Sequence, residues 1–389
     1  MVEIAEDTPD YILLPSYINR QLLYLAGPLQ AAPQKAAAKN DAKVDVLGKH
    51  RDGKTGKLYV RYRYTGTFVL DNGLQDIVKI RLPLNLEEIW ERSTDKCFSW
   101  GEKYRMAYFW APLNKGCPLV DGVDYSTSDG AIVAKRANTA STAPAYERLA
   151  DGNGEIRIVL TFGADDDRNG SSTPDKNTDY NAGNYRDVRK FLLGQGFSVR
   201  TVAADERERE CATTKSLAAS PGHVEEFTRK DGGRKLVVRL FWGITNIGAD
   251  SVAFFCMAKE AAERGSVFLY AGHSRVGLLD LTYMGEQIGA PIKMNKDRYQ
   301  IYAFFGCSSY SYYNLSYFGA KASKDDPEGT KNANIITNGV TGSFASMSDF
   351  TVKTLGPIFS WSARGTRASW QQIMNSYSEK FLTGVNGDG

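Results

Sequence analysis

The chain has 389 residues, of which 42% are hydrophobic, 12% aromatic and 24% charged; that excludes an intrinsically disordered polypeptide and leaves room for about two domains. Its 48 basic residues are nearly matched by 45 acidic ones, and no stretch concentrates the positive charge, so a nucleic-acid partner is not expected. No apolar run approaches the ~20 residues a helix needs to cross a bilayer, so no transmembrane segment is expected either.

In chain order, the opening Met1-Val2-Glu3-Ile4-Ala5-Glu6-Asp7 is acidic and lacks the basic and apolar regions of a signal peptide. The expectation is an extracytoplasmic or secreted chain that starts after a cleavage site. Residues 26–44, rich in Gln, Ala and Lys, read as an exposed low-complexity arm. From Val60 to Leu70 the apolar residues fall at 60, 62, 64, 68 and 70, the period of a half-buried strand. Asp71-Asn72-Gly73 supplies turn chemistry, and Val78, Ile80, Leu82 and Leu84 alternate after it. An antiparallel hairpin is predicted there. Residues 1–150 read as a β-rich domain, because no strong helical period follows residue 92.

A turn-forming run, Asp151-Gly152-Asn153-Gly154, precedes the apolar stretch Ile156–Phe162, and the second domain, 151–389, is placed there. After a polar loop, Asn184 is read as the cap of a helix carrying Tyr185, Val188, Phe191 and Leu192 on one face, ended by Gly194 and Gly196. Phe197–Val202 returns as a strand, completing a strand, helix, strand unit with a right-handed crossover. Strands follow at Leu236–Trp242, Val267–Ala271, Tyr299–Phe305 and Asn334–Asn338, with a helix at Ser251–Glu263. The alternation predicts an α/β fold, a mainly parallel sheet covered by helices on both faces.

The five cysteines, Cys97, Cys117, Cys211, Cys256 and Cys307, are odd in number, so at least one is left unpaired within the chain. Cys97 and Cys117 are the best candidates for a disulfide in an oxidising compartment. Cys256, in Phe254-Phe255-Cys256-Met257, reads as a buried inert thiol.

In an open α/β sheet the reacting groups gather beyond the carboxyl ends of the strands. Val267–Ala271 runs through Gly272 into His273, and Tyr299–Phe305 runs through Gly306 into Cys307. Each exit is an apolar strand, one glycine permitting a sharp turn, then a reactive side chain. Taken singly, His273 reads as a core histidine bonded to a carbonyl and Cys307 as a small buried filler. If the two strands are neighbours in register, the pair faces one crevice, and a histidine there can favour a thiolate and then protonate a leaving amine.

This order of elements resembles the caspase-like (clan CD) cysteine peptidases, the group that includes gingipains, clostripain, legumain and separase, over roughly residues 155–380. The similarity extends to the opening unit of Ile156–Phe162, the Asp187-Val188-Arg189-Lys190-Phe191-Leu192 helix and the Gly196-Phe197-Ser198-Val199 return. The resemblance implies a cysteine endopeptidase acting on polypeptides, with Cys307 as nucleophile and His273 as acid-base partner. It also implies an oxyanion site of backbone groups around Gly272, Ser274 and Gly306, in which Ser274 stands where the family has a glycine that donates its N–H. That departure favours a second reading, a catalytically inactive caspase-like binding or structural module at the cell surface.

Gly272-His273-Ser274 also fits the start of a serine hydrolase elbow, but Val276 occupies the required glycine position and no histidine follows His273. Asp165, Asp167 and Asn169, with Gly170, match the first half of a calcium loop, whereas Lys176 stands at the bidentate glutamate position. No cofactor is expected beyond that partial calcium motif. The tyrosine-rich segment Ser308–Tyr317 is read as either cleft lining or packing against the β-rich domain, and 321–332 as an exposed loop suited to proteolytic processing. Asp280, Asp297 and Asp349 are candidates for selecting a basic side chain at the scissile bond.

Overall fold

The computed structural model describes residues 1–10, 13–25, 36–38, 43–66, 68–70, 77–98, 107, 110–131, 142–164, 173–217, 222–245, 251–274, 279–307, 309–339, 342–378 and 381–387. The chain forms two compact units, Met1–Asn138 and Thr139–Gly389.

The first unit is built from short antiparallel pairings. Val2–Glu3 (β1) and Lys43–Arg51 (β3) flank Leu58–Thr65 (β4), Ala36–Ala38 (β2) pairs with Phe68–Leu70 (β5), and Ile77–Pro83 (β6) pairs with Tyr125–Ala131 (β7). The hairpin expected between the strands near 60–70 and 78–84 is therefore not formed. The tight turn lies upstream, between β3 and β4, where Asp52 Oδ1 accepts from the N–H groups of Lys54 (2.7 Å) and Thr55 (2.9 Å) and Gly56 takes a φ of +70°. Asp71, Asn72 and Gly73 lie outside the described residues, as do 26–35 and 39–42 of the expected arm; Ala36–Ala38 of that arm is a strand. Cys97 and Cys117 form a disulfide.

The second unit is an eight-stranded sheet. Its strands are Glu155–Gly163 (β8), Ser198–Thr201 (β9), Gly222–Asp231 (β10), Arg234–Gly243 (β11), Val267–Ala271 (β12), Gln300–Phe305 (β13), Ala333–Asn338 (β14) and Thr383–Asn386 (β15). Their order is β15-β14-β13-β12-β8-β11-β10-β9. Five consecutive strands, β14 to β11 across that order, run parallel, while β15 and β10 are antiparallel to their neighbours. The chain starts in the middle at β8, winds to one side, then returns to build β12, β13 and β14 on the other. β9 runs in the direction of β8 but sits at the edge, with two strands between them. The predicted strand, helix, strand unit thus joins strands that do not touch. A strand at Gly222–Asp231, absent from the sequence reading, and β11 fill the gap as a hairpin turned by Gly232 at φ +59°.

Helices cover both faces because alternate strand residues point to opposite sides. Ile158, Leu160, Leu269, Ala303 and Phe305 join a core with Tyr185, Val188 and Leu192 of Tyr180–Gly194 (α1). Val159, Phe268, Tyr270, Tyr302 and Phe304 join a second core with Phe254 and Met257 of the helix Val252–Arg264. The predicted cap of α1 is corrected: Asp179 caps it, its side chain accepting from Asn181 N, and Asn184 lies within the first turns. The first turns are filled by buried polar residues, Asn181 and Asn184, so the apolar period begins later than the helix does. Cys256 is likewise not a free thiol. It is disulfide-bonded to Cys211 at the end of the helix Ala204–Cys211, denoted α2; the helix Val252–Arg264 is denoted α3. The remaining helices are Leu281–Ile288 (α4), Asn314–Lys321 (α5), Met347–Arg364 (α6) and Trp370–Ser376 (α7).

At the end of α5, Lys321 is 1% exposed, and its ammonium donates to the carbonyls of Asn295 and Arg298, each at 2.6 Å. Burial, helped by Arg298 and Arg148, pushes its pKa down to about 7. The unfolded chain therefore holds a proton that the folded chain lacks between about pH 7 and the ordinary lysine range, so stability falls as pH drops through that window and levels off below it. Urea denaturation of the wild type should gain about 1 kcal/mol per pH unit between pH 7 and 10 from this group, and the Lys321→Met variant should lose that slope.

Candidate active site at the ends of two neighbouring strands

β12 and β13 pair in parallel register, Val267 with Ile301 through Ala271 with Phe305. His273 and Cys307 each follow two residues beyond that last pair, at the carboxyl edge of the sheet. The two exits touch through their backbones: Gly272 N–H donates to Phe305 O at 3.3 Å. A Cβ placed on Gly306 would lie 2.9 Å from Gly272 O, 3.0 Å from Ser274 N and 3.1 Å from Ser274 Cα. The predicted role of the glycines in sharp turns is corrected here. Neither Gly272 nor Gly306 has a positive φ; Gly306 is required because a side chain would not fit between the two strand ends.

Buried hydrogen bonds fix the backbone on both sides of the site. Tyr270 Oη donates to His273 O at 2.8 Å, and Tyr313 Oη donates to Ser274 O. Asn338, at the end of β14, donates from Nδ2 to Gly306 O at 3.2 Å and from its backbone to Ser309 Oγ at 2.9 Å, while Ser309 Oγ donates to Phe304 O at 2.6 Å. Sequence reasoning missed Asn338 and Ser309. Their signal is polar side chains placed at or just past the ends of apolar strands.

Cys307 is the one cysteine left unpaired, the other four being consumed by two disulfides. Its residue surface is partly exposed, but burial pushes the thiol above its ordinary pKa, and the backbone N–H groups of Gly342 and of Cys307 itself pull it part of the way back. The His273 imidazole packs against Phe344 with ring centroids 4.9 Å apart and planes at 82°. The other histidines stand elsewhere. His50 lies on the exposed strand β3, and His223, on β10, packs edge-on to Tyr185 at 5.8 Å, where burial lowers its pKa.

The remaining candidates are placed as follows. Asp280 caps α4, accepting from Thr282 N and Tyr283 N. Asp349 bonds Lys353 one turn on, and Asp297 is exposed beside Asn295. Tyr310, Tyr313 and Tyr317 are buried against the sheet, Tyr313 stacking on Phe304 at 4.3 Å, so these three do not line a cleft. Tyr312 alone is partly exposed, and burial, with Cys307 nearby, raises its phenol pKa. Lys321 is buried, while most of 322–332 is exposed and turns about Asp326, whose carboxylate accepts from Thr330 N and Lys331 N. Asp165, Asp167 and Asn169 lie outside the described residues; among the described residues no group of three potential ligands is placed to hold a metal ion. No helix among them is long and apolar enough to cross a membrane.

No family model and no curated protein matches the chain. Among solved structures, a secreted C11 cysteine protease from Bacteroides thetaiotaomicron, "iotapain", is similar over 58% of this chain and 62% of that one, at 8% identity and a TM-score of 0.29. A similarity that loose carries no argument about this chain.

Two outcomes follow from the geometry. Gly306→Ala should cost about 1–3 kcal/mol by overpacking, read as a lowered melting temperature, and should separate the two exits. Alkylation of Cys307 by iodoacetamide should keep accelerating with pH beyond the ordinary thiol range, because burial holds the resting sulfur protonated. A profile already flat at neutral pH would indicate a resting thiolate instead.

Proposed function

We propose that the second unit is a cysteine endopeptidase in which Cys307 attacks the scissile carbonyl of a polypeptide and His273 serves as acid-base partner. The observation that carries this reading is the in-register pairing of β12 with β13, which delivers a histidine and the one unpaired cysteine equally far beyond the sheet. A thiol held protonated by its surroundings needs a base during attack. In the proposed cycle His273 takes that proton as the sulfur–carbon bond forms, then passes it to the leaving amine; water hydrolyses the resulting thioester. The resemblance to caspase-like peptidases assigns oxyanion stabilisation to backbone N–H groups. Ser274 keeps an N–H there and has no positive φ, and among the described residues no acceptor takes that N–H. Two disulfides suit an extracytoplasmic or secreted setting.

The burial that raises the thiol pKa is the specific observation favouring the second reading, a non-catalytic binding or structural module of the same architecture. The two part on one measurement. Peptidyl acyloxymethyl ketone probes, differing in the residue at the scissile bond, should label Cys307 in the wild type and not in Cys307→Ala. In His273→Ala the labelling rate should fall about 10²-fold, the low end of acid-base contributions. Labelling that is equal with and without His273, or absent throughout, supports the inactive module.

A further inference from the structure

A dyad needs its imidazole turned toward the sulfur. Resting on the reading of His273 as acid-base partner, we propose that Phe344, anchored by Asn184, is a positioning residue that sets the orientation of the His273 ring.

Three observations lead there. The contact between the two rings is close and edge-to-face, 4.9 Å and 82°, an arrangement that aromatic quadrupoles favour directionally rather than by bulk alone. Phe344 opens the short turn Phe344–Ser346 that leads into α6, and its main chain is pinned from α1. Asn184 Nδ2 donates to Phe344 O at 2.6 Å, and Asn184 Oδ1 accepts from Ser348 N at 3.0 Å. Asn184 is itself held: its Nδ2 also donates to Asn181 Oδ1 at 3.0 Å, and Asn181 Nδ2 donates to Gly163 O, at the end of β8, at 2.6 Å. A buried amide using both its ends in this way has one orientation. A bonded chain thus runs from the central strand of the sheet through two asparagines to the ring that faces the imidazole.

The third observation is a division of labour. Tyr270 fixes the main-chain carbonyl of His273, which settles where the side chain starts, while Phe344 meets the ring itself. Two residues before Phe344, the Gly342 N–H is directed at the Cys307 sulfur, so one short segment addresses both members of the proposed dyad. Phe344 is partly exposed and packs at the edge of the first core, so a replacement that keeps its bulk is the informative one.

The test is a double-mutant cycle on the rate of Cys307 inactivation by a peptidyl acyloxymethyl ketone. Phe344→Leu, which keeps bulk and removes the ring, should slow inactivation about tenfold or more, within the range that a misplaced catalytic group costs. Phe344→Tyr should stay near the wild-type rate. In the His273→Ala background Phe344→Leu should have no further effect. Asn184→Ala should slow the reaction as Phe344→Leu does and add nothing to it, with thermal melting confirming that each variant is folded. No slowing in Phe344→Leu, or equal slowing with and without His273, would overturn the positioning role while leaving the dyad standing. No slowing in His273→Ala would instead remove the dyad and this inference with it.

Discussion

The pairing of Val267–Ala271 with Gln300–Phe305 is the constraint on which the site depends. Both strands are buried on both faces, so their register is fixed from two sides at once: Leu269 and Ala303 toward one core, Phe268 and Tyr302 toward the other. A slip of one residue would exchange those faces along the whole strand. It would also place the residue after one glycine opposite the wrong neighbour at the sheet edge. Packing deep in the sheet thus decides which side chains emerge side by side at its rim, and the close approach of Gly306 to the Gly272–Ser274 backbone locks that alignment where the strands end.

The second constraint is the partition of the cysteines. Cys97–Cys117 lies wholly within the first unit, and Cys211–Cys256 ties α2 to α3 within the second. Cys307 is left as a thiol at a strand exit, surrounded by backbone N–H groups rather than by another sulfur. Two opposing effects act on it. Removal from water disfavours the thiolate and is the larger, while the N–H groups of Gly342 and Cys307 favour it. A sulfur in that balance holds its proton more firmly than an ordinary thiol, and removing that proton is the part the proposal gives to the histidine at the neighbouring exit.

The legible part of this fold was the part written in periodicity. Apolar runs at Ile156–Phe162, Leu236–Trp242 and Val267–Ala271 appear as strands because burial on both faces demands continuous hydrophobicity. Gly222–Asp231 escaped because it carries Glu225, Glu226, Arg229 and Lys230, charges that a strand tolerates here through partners such as Arg189 for Glu225 and Arg239 for Glu226. A charged strand is recognisable only once its partners are in place. The same limit explains the cap of α1. Asn184 has the chemistry of a cap, and only the tertiary structure reveals that it bonds to Phe344 and Ser348, 160 and more residues away. The pairing of Cys211 with Cys256 is of this kind too, since nothing in an apolar helix marks one cysteine as half of a bridge.

The candidate residues themselves were legible because strand, glycine, reactive side chain is a local pattern, whereas their support was not. The groups that fix the exits, Tyr270, Tyr313, Asn338 and Ser309, bind main-chain atoms. Binding the backbone is the efficient choice physically: a carbonyl has a defined lone-pair direction, so one buried hydrogen bond fixes a peptide plane, and two such planes fix where a side chain begins. What remains for the side chains is rotation about their own bonds. At Cys307 that rotation is biased by N–H groups pointing at sulfur, and at His273 by an aromatic ring packed against the imidazole. The sheet sets position, the buried polar bonds set the local frame, and weak directional contacts set the final angle, so changes in the outermost layer are expected to alter chemistry with the least effect on stability.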